Sequence, residues 1–419
     1  MSIGYACITL GLPDARLRSV TQKHATEEQL ARVIDHNLNV LDCVLDYNHA
    51  NNVKLFRISS DIIPFGSSPV NTLNWQEMFG ERLAALGEKA RRFGIRLSMH
   101  PGQYTVLNSP NETVVARAVE DLAYHNAFLD ALDMDASNKI ILHVGGVYNN
   151  KPEAIKRFIE AHDALPDTIK RRLVIENDDR LYTAENVLAI SQASGAPVVF
   201  DILHHRINPG EGTSEHDLLN QARTTWHEAD GKQKIHYSQQ AVGKKPGSHS
   251  ETIAIAEFLT FYQQLGEKAT TTDIMLEVKD KDLSALKCID CTTSKGTIAT
   301  LERAWAHYKY SVLEHDPNAY QQIRNLLKDK QAYPAREFYQ LVEDALAKPA
   351  EAGTFRNAVQ HVWGYVSNLA TEQERASFAK LMDRFEHGDA TGATVKKRLA
   401  TLAAKYNQTY LVDSYYFIL

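Results

Sequence analysis

Six residues able to ligate a metal, His100, His143, Glu176, Asp201, His236 and Glu277, each lie at the end of, or within, a short apolar run. The runs are IRLSM before His100, KIIL before His143, LVI before Glu176, PVVF before Asp201, KIHYS around His236 and DIMLEV around Glu277. A mixture of imidazole and carboxylate donors suits zinc, manganese or iron, whereas an all-oxygen set suggests magnesium or calcium. Glu176 stands between the His100 and His143 pair and the Asp201 and His236 pair, so its two oxygens can bridge two ions. Two ions roughly 3.5–4 Å apart can hold a hydroxide nucleophile and stabilise both the attacking and the leaving oxygen of a phosphate ester. Phosphodiester cleavage is therefore the chemistry this set predicts. His204, three residues after Asp201 in DILHH, and His249, in PGSHS, extend the ligand set; His205, His216 and His227 read as structural or solvent-facing.

Other residues could act beside these ligands. Lys234 precedes His236 by two residues, so both side chains should point to the same side of a strand. An amine among metal ions would be neutralised, modified or used to contact phosphate; the plainer reading is a barrel lysine paired with a carboxylate. In HPGQYTVLNSP, Gln103 and Tyr104 place an amide next to an aromatic ring, a pair that can hydrogen-bond and stack where a base pair is disrupted. A loop anchored by its tyrosine is the ordinary alternative. Lys232, Lys244, Lys245, Lys279 and Lys281 can contact backbone phosphates or form a solvated rim.

Residues spread over so much sequence meet only if the fold gathers them. Strands are predicted at 3–9, 54–59, 95–100, 139–144, 172–177, 197–201, 234–238 and 273–279. They are short, β-branched and apolar on both sides, as in a parallel sheet buried on both faces. Helical patterns separate them at 26–50, 75–93, 111–132, 150–163, 183–194, 213–228 and 250–266, and another follows at 281–308. Gly94 and Gly195 are suitable helix stops. Eight alternations predict a closed (β/α)8 TIM barrel, in which every strand C-terminus opens onto one face. Beyond about residue 310 the pattern turns all-helical, with helices at 317–328, 335–346, 353–368, 371–386 and 391–406, a candidate linker at 314–334, and a tyrosine-rich end expected to dock within the protein. The predicted division is a barrel domain at 1–312 and a helical domain of unknown role at 335–419.

With 44% apolar and 23% charged residues among 419, the chain has the composition of a soluble globular protein. No window approaches the roughly 20 apolar residues of a membrane span. The N-terminus MSIGYACITLGLPD lacks the features of a secretory signal, which predicts a cytoplasmic location. Four cysteines are too few for a disulfide framework, and the lone CxxC of Cys288 and Cys291 reads as structural. A net charge of -6 argues against indiscriminate nucleic-acid binding, but bound divalent ions would offset it locally.

The segments MHPGQYTVLNSP, ILHVGGVYNNK, LVIENDD, VVFDILHH, KIHYS and MLEVKDKD resemble the successive motifs of the UV damage endonuclease family, over about residues 1–310. The resemblance implies a barrel similar to that of metal-dependent abasic-site endonucleases. It also implies nicking of duplex DNA immediately 5′ to cyclobutane pyrimidine dimers, 6-4 photoproducts and some other lesions, with abasic sites as a further candidate. Two or three manganese ions are implied, with zinc, cobalt or magnesium as alternatives. They would be held by His100, His143, Glu176, Asp201, His204, His236, His249 and Glu277. Glu176, Lys234 and Glu277 are expected to carry catalysis, with Lys234 matching a lysine found carboxylated in the family. Gln103 and Tyr104 match a pair that probes the damaged dinucleotide, and Tyr5 a tyrosine near the lesion. Two departures stand out: Ser68-Pro69 where the family often has histidine-proline, and Thr9 at a position that can be asparagine. Expected partners are damaged double-stranded DNA and downstream repair factors, with a monomeric protein and no membrane. The rival readings are a metal-dependent sugar isomerase and a non-catalytic damage-binding protein.

Overall fold

The computed structural model describes residues 2–419, and its eight short strands close into one parallel barrel in chain order. They are β1 (Ser2–Ala6), β2 (Leu55–Ile58), β3 (Arg96–Met99), β4 (Lys139–His143), β5 (Leu173–Glu176), β6 (Val198–Asp201), β7 (Gln233–Tyr237) and β8 (Thr272–Leu276). All eight predicted strands are present, each within a few residues of its expected bounds. The ring closes where Gly4 of β1 pairs with Met275 of β8 on one side and Leu55 of β2 on the other.

Apolar residues fill the middle of the barrel. Ile141, Val174 and Val199 pack together from β4, β5 and β6, and Ala6, Leu55 and Met275 from β1, β2 and β8. Side chains two apart on a strand share a face. The next inward positions toward the strand C-termini are therefore His143, Glu176 and Asp201 above the first layer, and Arg57 and Glu277 above the second. At the other end, Arg96 pairs with Asp273 at 3.0 Å and Lys139 with Asp230 at 2.5 Å. The interior thus runs from an ion-paired floor through an apolar middle to a titratable mouth.

The helices follow the predicted order with some refinements. The pattern at 75–93 resolves into Trp75–Met78 and Gly80–Phe93, and that at 281–308 into Asp282–Thr292 and Ile298–His315. A further helix, Ile202–Ile207, starts directly at the end of β6 because the Asp201 side chain accepts from the His204 N–H at 2.7 Å and caps it. Gly94 and Gly195 end their helices in the left-handed region, at φ 63° and 76°.

The chain divides into two compact units. One holds 14–253 and 261–286 with the N-terminal strand; the other holds 287–419 with the short segments 10–13 and 254–260. The second unit therefore begins before residue 312. Much of the expected linker is the helix Pro317–Leu326: Asp316 accepts from the N–H groups of Asn318 and Ala319, and Pro317 fits the first helical position. The second unit is built on Phe355, Val359, Val362, Phe378, Val395, Leu399 and Leu402, with Leu411 and Tyr416 of the tyrosine-rich end buried among them. No helix among the described residues is long and apolar enough to cross a membrane, and all four cysteines are free thiols.

Leu399 has no exposed surface. Leu399→Ala should lower unfolding free energy by about 2–5 kcal/mol, read as a shift in urea midpoint. An unshifted midpoint would contradict this account of the helical core.

Candidate metal centre at the barrel mouth

The inward-facing positions of β4, β5, β6 and β7, and the residues just after β3 and β8, bring six predicted ligands together. Glu176 is 1% exposed, and its two oxygens face different neighbours. Oε2 lies 3.2 Å from His100 Nε2 and 3.5 Å from His143 Nε2; Oε1 lies 2.5 Å from His236 Nδ1. His236 Nδ1 is also 3.3 Å from Glu277 Oε1, and His249 Nε2 is 3.8 Å from Glu277 Oε2. Two compact ligand groups result, His100 with His143 and Glu176, and Glu176 with Asp201 and His236. Glu176 belongs to both.

His204 and His249 border these groups. The short helix after β6 carries His204 so that its ring lies 5.7 Å from that of His143. Its Nδ1 is 3.0 Å from the Asn177 carbonyl, which must accept, so Nε2 is the nitrogen that offers a lone pair once the ring is neutral. His100 is oriented likewise, with Nδ1 2.9 Å from the Pro101 carbonyl and Nε2 toward Glu176. A backbone carbonyl holding one ring nitrogen while the other faces the cavity is a common preparation of a ligand imidazole. His249 reaches Glu277 from the loop after β7.

Electrostatics set this mouth apart from an ordinary core. Burial pushes the Glu176 carboxyl up, but His236, His143 and His100 outweigh it and hold Glu176 well below the usual range. Burial likewise opposes charge on Glu277, and Arg57 with His236 reverses that, holding Glu277 well below its ordinary value. Asp201 differs: burial pushes it up to about 7, with His204 opposing and Glu176 and Glu277 adding to the rise. Burial disfavours charge on His204, yet Asp201, Glu176 and Glu277 keep it protonated up to about 9.

A divalent cation fits these residues. His143 Nδ1, His236 Nε2 and Asp201 Oδ2 are buried without a hydrogen-bond partner. Three imidazoles crowd one carboxylate, a pairing that otherwise requires protons between them. Cations would replace those protons and supply the missing partner of Asp201.

Lys234 sits two residues below His236, fully buried, with no hydrogen-bond partner for Nζ. It is not hydrogen-bonded to a carboxylate, contrary to the plainer sequence reading. Burial pulls its pKa well below the usual value, and Arg96, Arg57 and Lys139 add to the fall against the pull of Asp273.

Several contributors escaped the sequence reading. Arg57 forms an ion pair with Glu277 from β2, and a charged residue inside the apolar run KLFRIS was the available signal. Asn177 grips Asp201 through both its amide nitrogen and oxygen, at 3.0 and 2.9 Å. Ser60 donates to the His100 carbonyl at 2.8 Å and lies 2.9 Å from His125 Nε2, while Thr105 donates to Asp121, one helical turn before His125. Nothing in the sequence distinguished His125 from a core histidine.

Other expectations meet mixed outcomes. Gln103 and Tyr104 are exposed in the loop after β3, Tyr104 at 69%. A cavity of about 470 Å³ beside Tyr104 is lined by Ser68, Pro69, Phe65 and Arg117, which places the serine-proline departure next to the Tyr104 ring. Tyr5 is wholly buried; its hydroxyl donates to Asn48 at 2.8 Å and pairs with Thr9 at 2.7 Å. It therefore offers DNA no surface in this conformation, because helix Glu27–Ala50 and the strand end enclose it. Lys232 precedes β7 and so lies at the N-terminal end of the strands, away from the mouth. Lys279 pairs with Glu251 at 2.5 Å. His205 is buried against Phe200, whereas His216 and His227 face solvent.

The protonation of Asp201 and His204 gives a testable sign. Loading a cation must expel protons from groups titrating near 7 and 9, so affinity should rise with pH. Competition titration of manganese against a fluorescent chelator should show affinity increasing from pH 6 to pH 9, by up to about tenfold per unit for each proton released. Affinity independent of pH would contradict the assignment.

Comparisons with known proteins agree with this geometry. The family model described as UV-endonuclease UvdE matches residues 2–308, and one described as a protein of unknown function, DUF1722, matches 309–419. A UV DNA damage endonuclease of Clostridium perfringens is 37% identical over 398 residues, covering 93% of this chain and 94% of that protein. A UV DNA damage endonuclease of Bacillus cereus is 35% identical over 269 residues, covering 64% of this chain and 84% of that protein. The crystal structure of SacUVDE superposes with a TM-score of 0.66 at 39% identity, covering 70% of this chain and 97% of the other. With its barrel matched almost end to end, the chain belongs to the UV-endonuclease UvdE family.

Proposed function

We propose that this UV DNA damage endonuclease nicks duplex DNA immediately 5′ to cyclobutane pyrimidine dimers and 6-4 photoproducts, with abasic sites as a further substrate, and so starts an excision-repair route. The observation that carries the reading is Glu176, one buried carboxylate shared by two ligand groups. His100, His143, Glu176, Asp201, His204, His236, His249 and Glu277 would hold two or three divalent ions, manganese first, with zinc, cobalt or magnesium as alternatives. Such ions supply Lewis acidity toward phosphoryl oxygens and an acidified water.

The chain's own residues shape the rest of the reaction. Arg57 fixes Glu277 and keeps it ionised, so the carboxylate is ready as a ligand. Hydrolysis forms a bond from water oxygen to phosphorus and breaks the bond to the 3′ oxygen, leaving a 3′ hydroxyl and a 5′ phosphate. Lys234, an amine beneath His236 whose charge is disfavoured by burial, with Arg57 and Arg96 as neighbouring cations, is suited to carboxylation: a carbamate would be anionic where the ammonium is disfavoured. Gln103 and Tyr104 would enter the helix at the lesion, since a damaged dinucleotide costs less to unstack than normal pairs. The same reading takes the protein as a cytoplasmic monomer that hands its nicked product to downstream repair factors.

Glu176→Gln tests the reading directly. Irradiated plasmid should be nicked by the manganese-loaded wild type in preference to unirradiated plasmid. The variant should lose nicking by a factor of a thousand or more, an order-of-magnitude expectation for losing a shared metal ligand, while keeping measurable lesion binding. Undiminished nicking by the variant would overturn the metal assignment. Equal nicking of both plasmids by the wild type would overturn the substrate.

A further inference from the structure

The barrel unit hides its large apolar side chains well, and the exceptions are concentrated at one end. Of the six that are exposed among the described residues, Ile8, Tyr104, Tyr148, Leu181 and Val242 lie on the loops after β1, β3, β4, β5 and β7, and the sixth, Met78, lies in the one-turn helix Trp75–Met78. All five loops open at the mouth that holds the ligand groups. Val242 is the extreme case at 98% exposed, followed by Tyr104 at 69%. Since β3 and β7 are four strands apart in a ring of eight, these two side chains stand on opposite rims with the ligands between them.

Val242 is not carried on a loose loop. The segment 239–250 folds back on itself as a hairpin, with Gln240 and His249 in an antiparallel bridge. The Ala241 N–H donates to the Ser248 carbonyl at 2.7 Å, and the Ser250 N–H to the Gln239 carbonyl at 2.8 Å. Inside the turn, the Gln240 side chain donates to the Lys245 carbonyl at 2.9 Å and accepts from the Gly247 N–H at 2.9 Å. Gly247 has φ 84°, and a Cβ there would come within 2.5 Å of Asp179 Oδ2, so the turn sits tight against the loop after β5. The tip presents Val242 together with exposed Lys244 and Lys245. An apolar side chain fixed in water gains nothing for the free protein, whereas burial against bases would be favourable. Apolar wedges flanked by cations are a recurring means of opening a base step while holding its phosphates.

We propose that the hairpin 239–250 is a second DNA-probing element, acting opposite Gln103 and Tyr104, in which Val242 wedges against bases of the distorted duplex and Lys244 and Lys245 hold the adjoining phosphates. This rests on the reading of the mouth as the site for lesion-bearing DNA. Because the same hairpin carries His249, wedge insertion also fixes that imidazole relative to the bound backbone.

The full-length protein, a duplex with one cyclobutane dimer and a 2-aminopurine beside it, and the undamaged duplex provide the test. Val242→Ser should weaken binding to the lesion duplex roughly tenfold and lose the fluorescence rise that reports unstacking. Val242→Leu should keep both, which a general loss of fold would not allow. The double variant Lys244→Ala, Lys245→Ala should reduce the slope of log affinity against log salt by up to about 1.8. If Val242→Ser binds and unstacks the lesion duplex like the wild type while the wild type prefers damaged DNA, the hairpin proposal is overturned and the substrate reading stands. If the wild type itself shows no preference for the lesion duplex, the underlying reading fails first.

Discussion

One buried carboxylate facing three imidazoles organises this protein. Glu176 has almost no contact with water, and a lone carboxylate there would give up its charge. It stays ionised because His100, His143 and His236 converge on it from β3, β4 and β7. Those strands meet only in a closed barrel, so the charge state of one side chain depends on the entire topology. The arrangement is satisfied by protons or by cations, and orphaned Asp201 Oδ2 favours cations.

The surroundings maintain that balance. Arg57 neutralises Glu277 from the side, and the apolar layer of Ile141, Val174 and Val199 separates the mouth from the ion pairs of the floor. Lys234 marks the transition: it is held in a stretch crowded with positive charge where an ammonium is poorly tolerated. Above the ligands, polar anchoring gives way to exposed apolar side chains, which suits a partner whose own interior has been disturbed rather than a small sugar sealed from water.

Most of the barrel was legible because its strands are short apolar runs between amphipathic helices, and because six of the eight candidate ligands fall at the end of, or within, a run. Alternation of side chains then dictates which residues share the mouth, so the central role of Glu176 followed from chain order alone. The failures have physical causes. Asp201 doubles as a helix cap, so the helix carrying His204 begins where a loop was expected. Lys232 does not join the rim because it precedes β7, in the predicted bounds as in the observed ones, and strand direction puts it at the opposite end. Asp316-Pro317 looked like linker chemistry, yet the same pair starts a helix when the aspartate accepts from the first turn. Tyr5 is expected near the lesion only by resemblance; the helix that covers it is predicted at 26–50, but its packing of Asn48 onto the Tyr5 hydroxyl is a tertiary contact that no local pattern carries. Asn177, Ser60 and His125 act through hydrogen bonds across the fold, beyond the reach of spacing.

Anomalous scattering from crystals grown with manganese measures the central claim most directly. The account predicts at least two peaks flanking the Glu176 carboxylate, one toward His100 and His143 and another toward Asp201 and His236. A mouth with no peak beside Glu176 after saturation with manganese, or metal bound only at the protein surface, would contradict it.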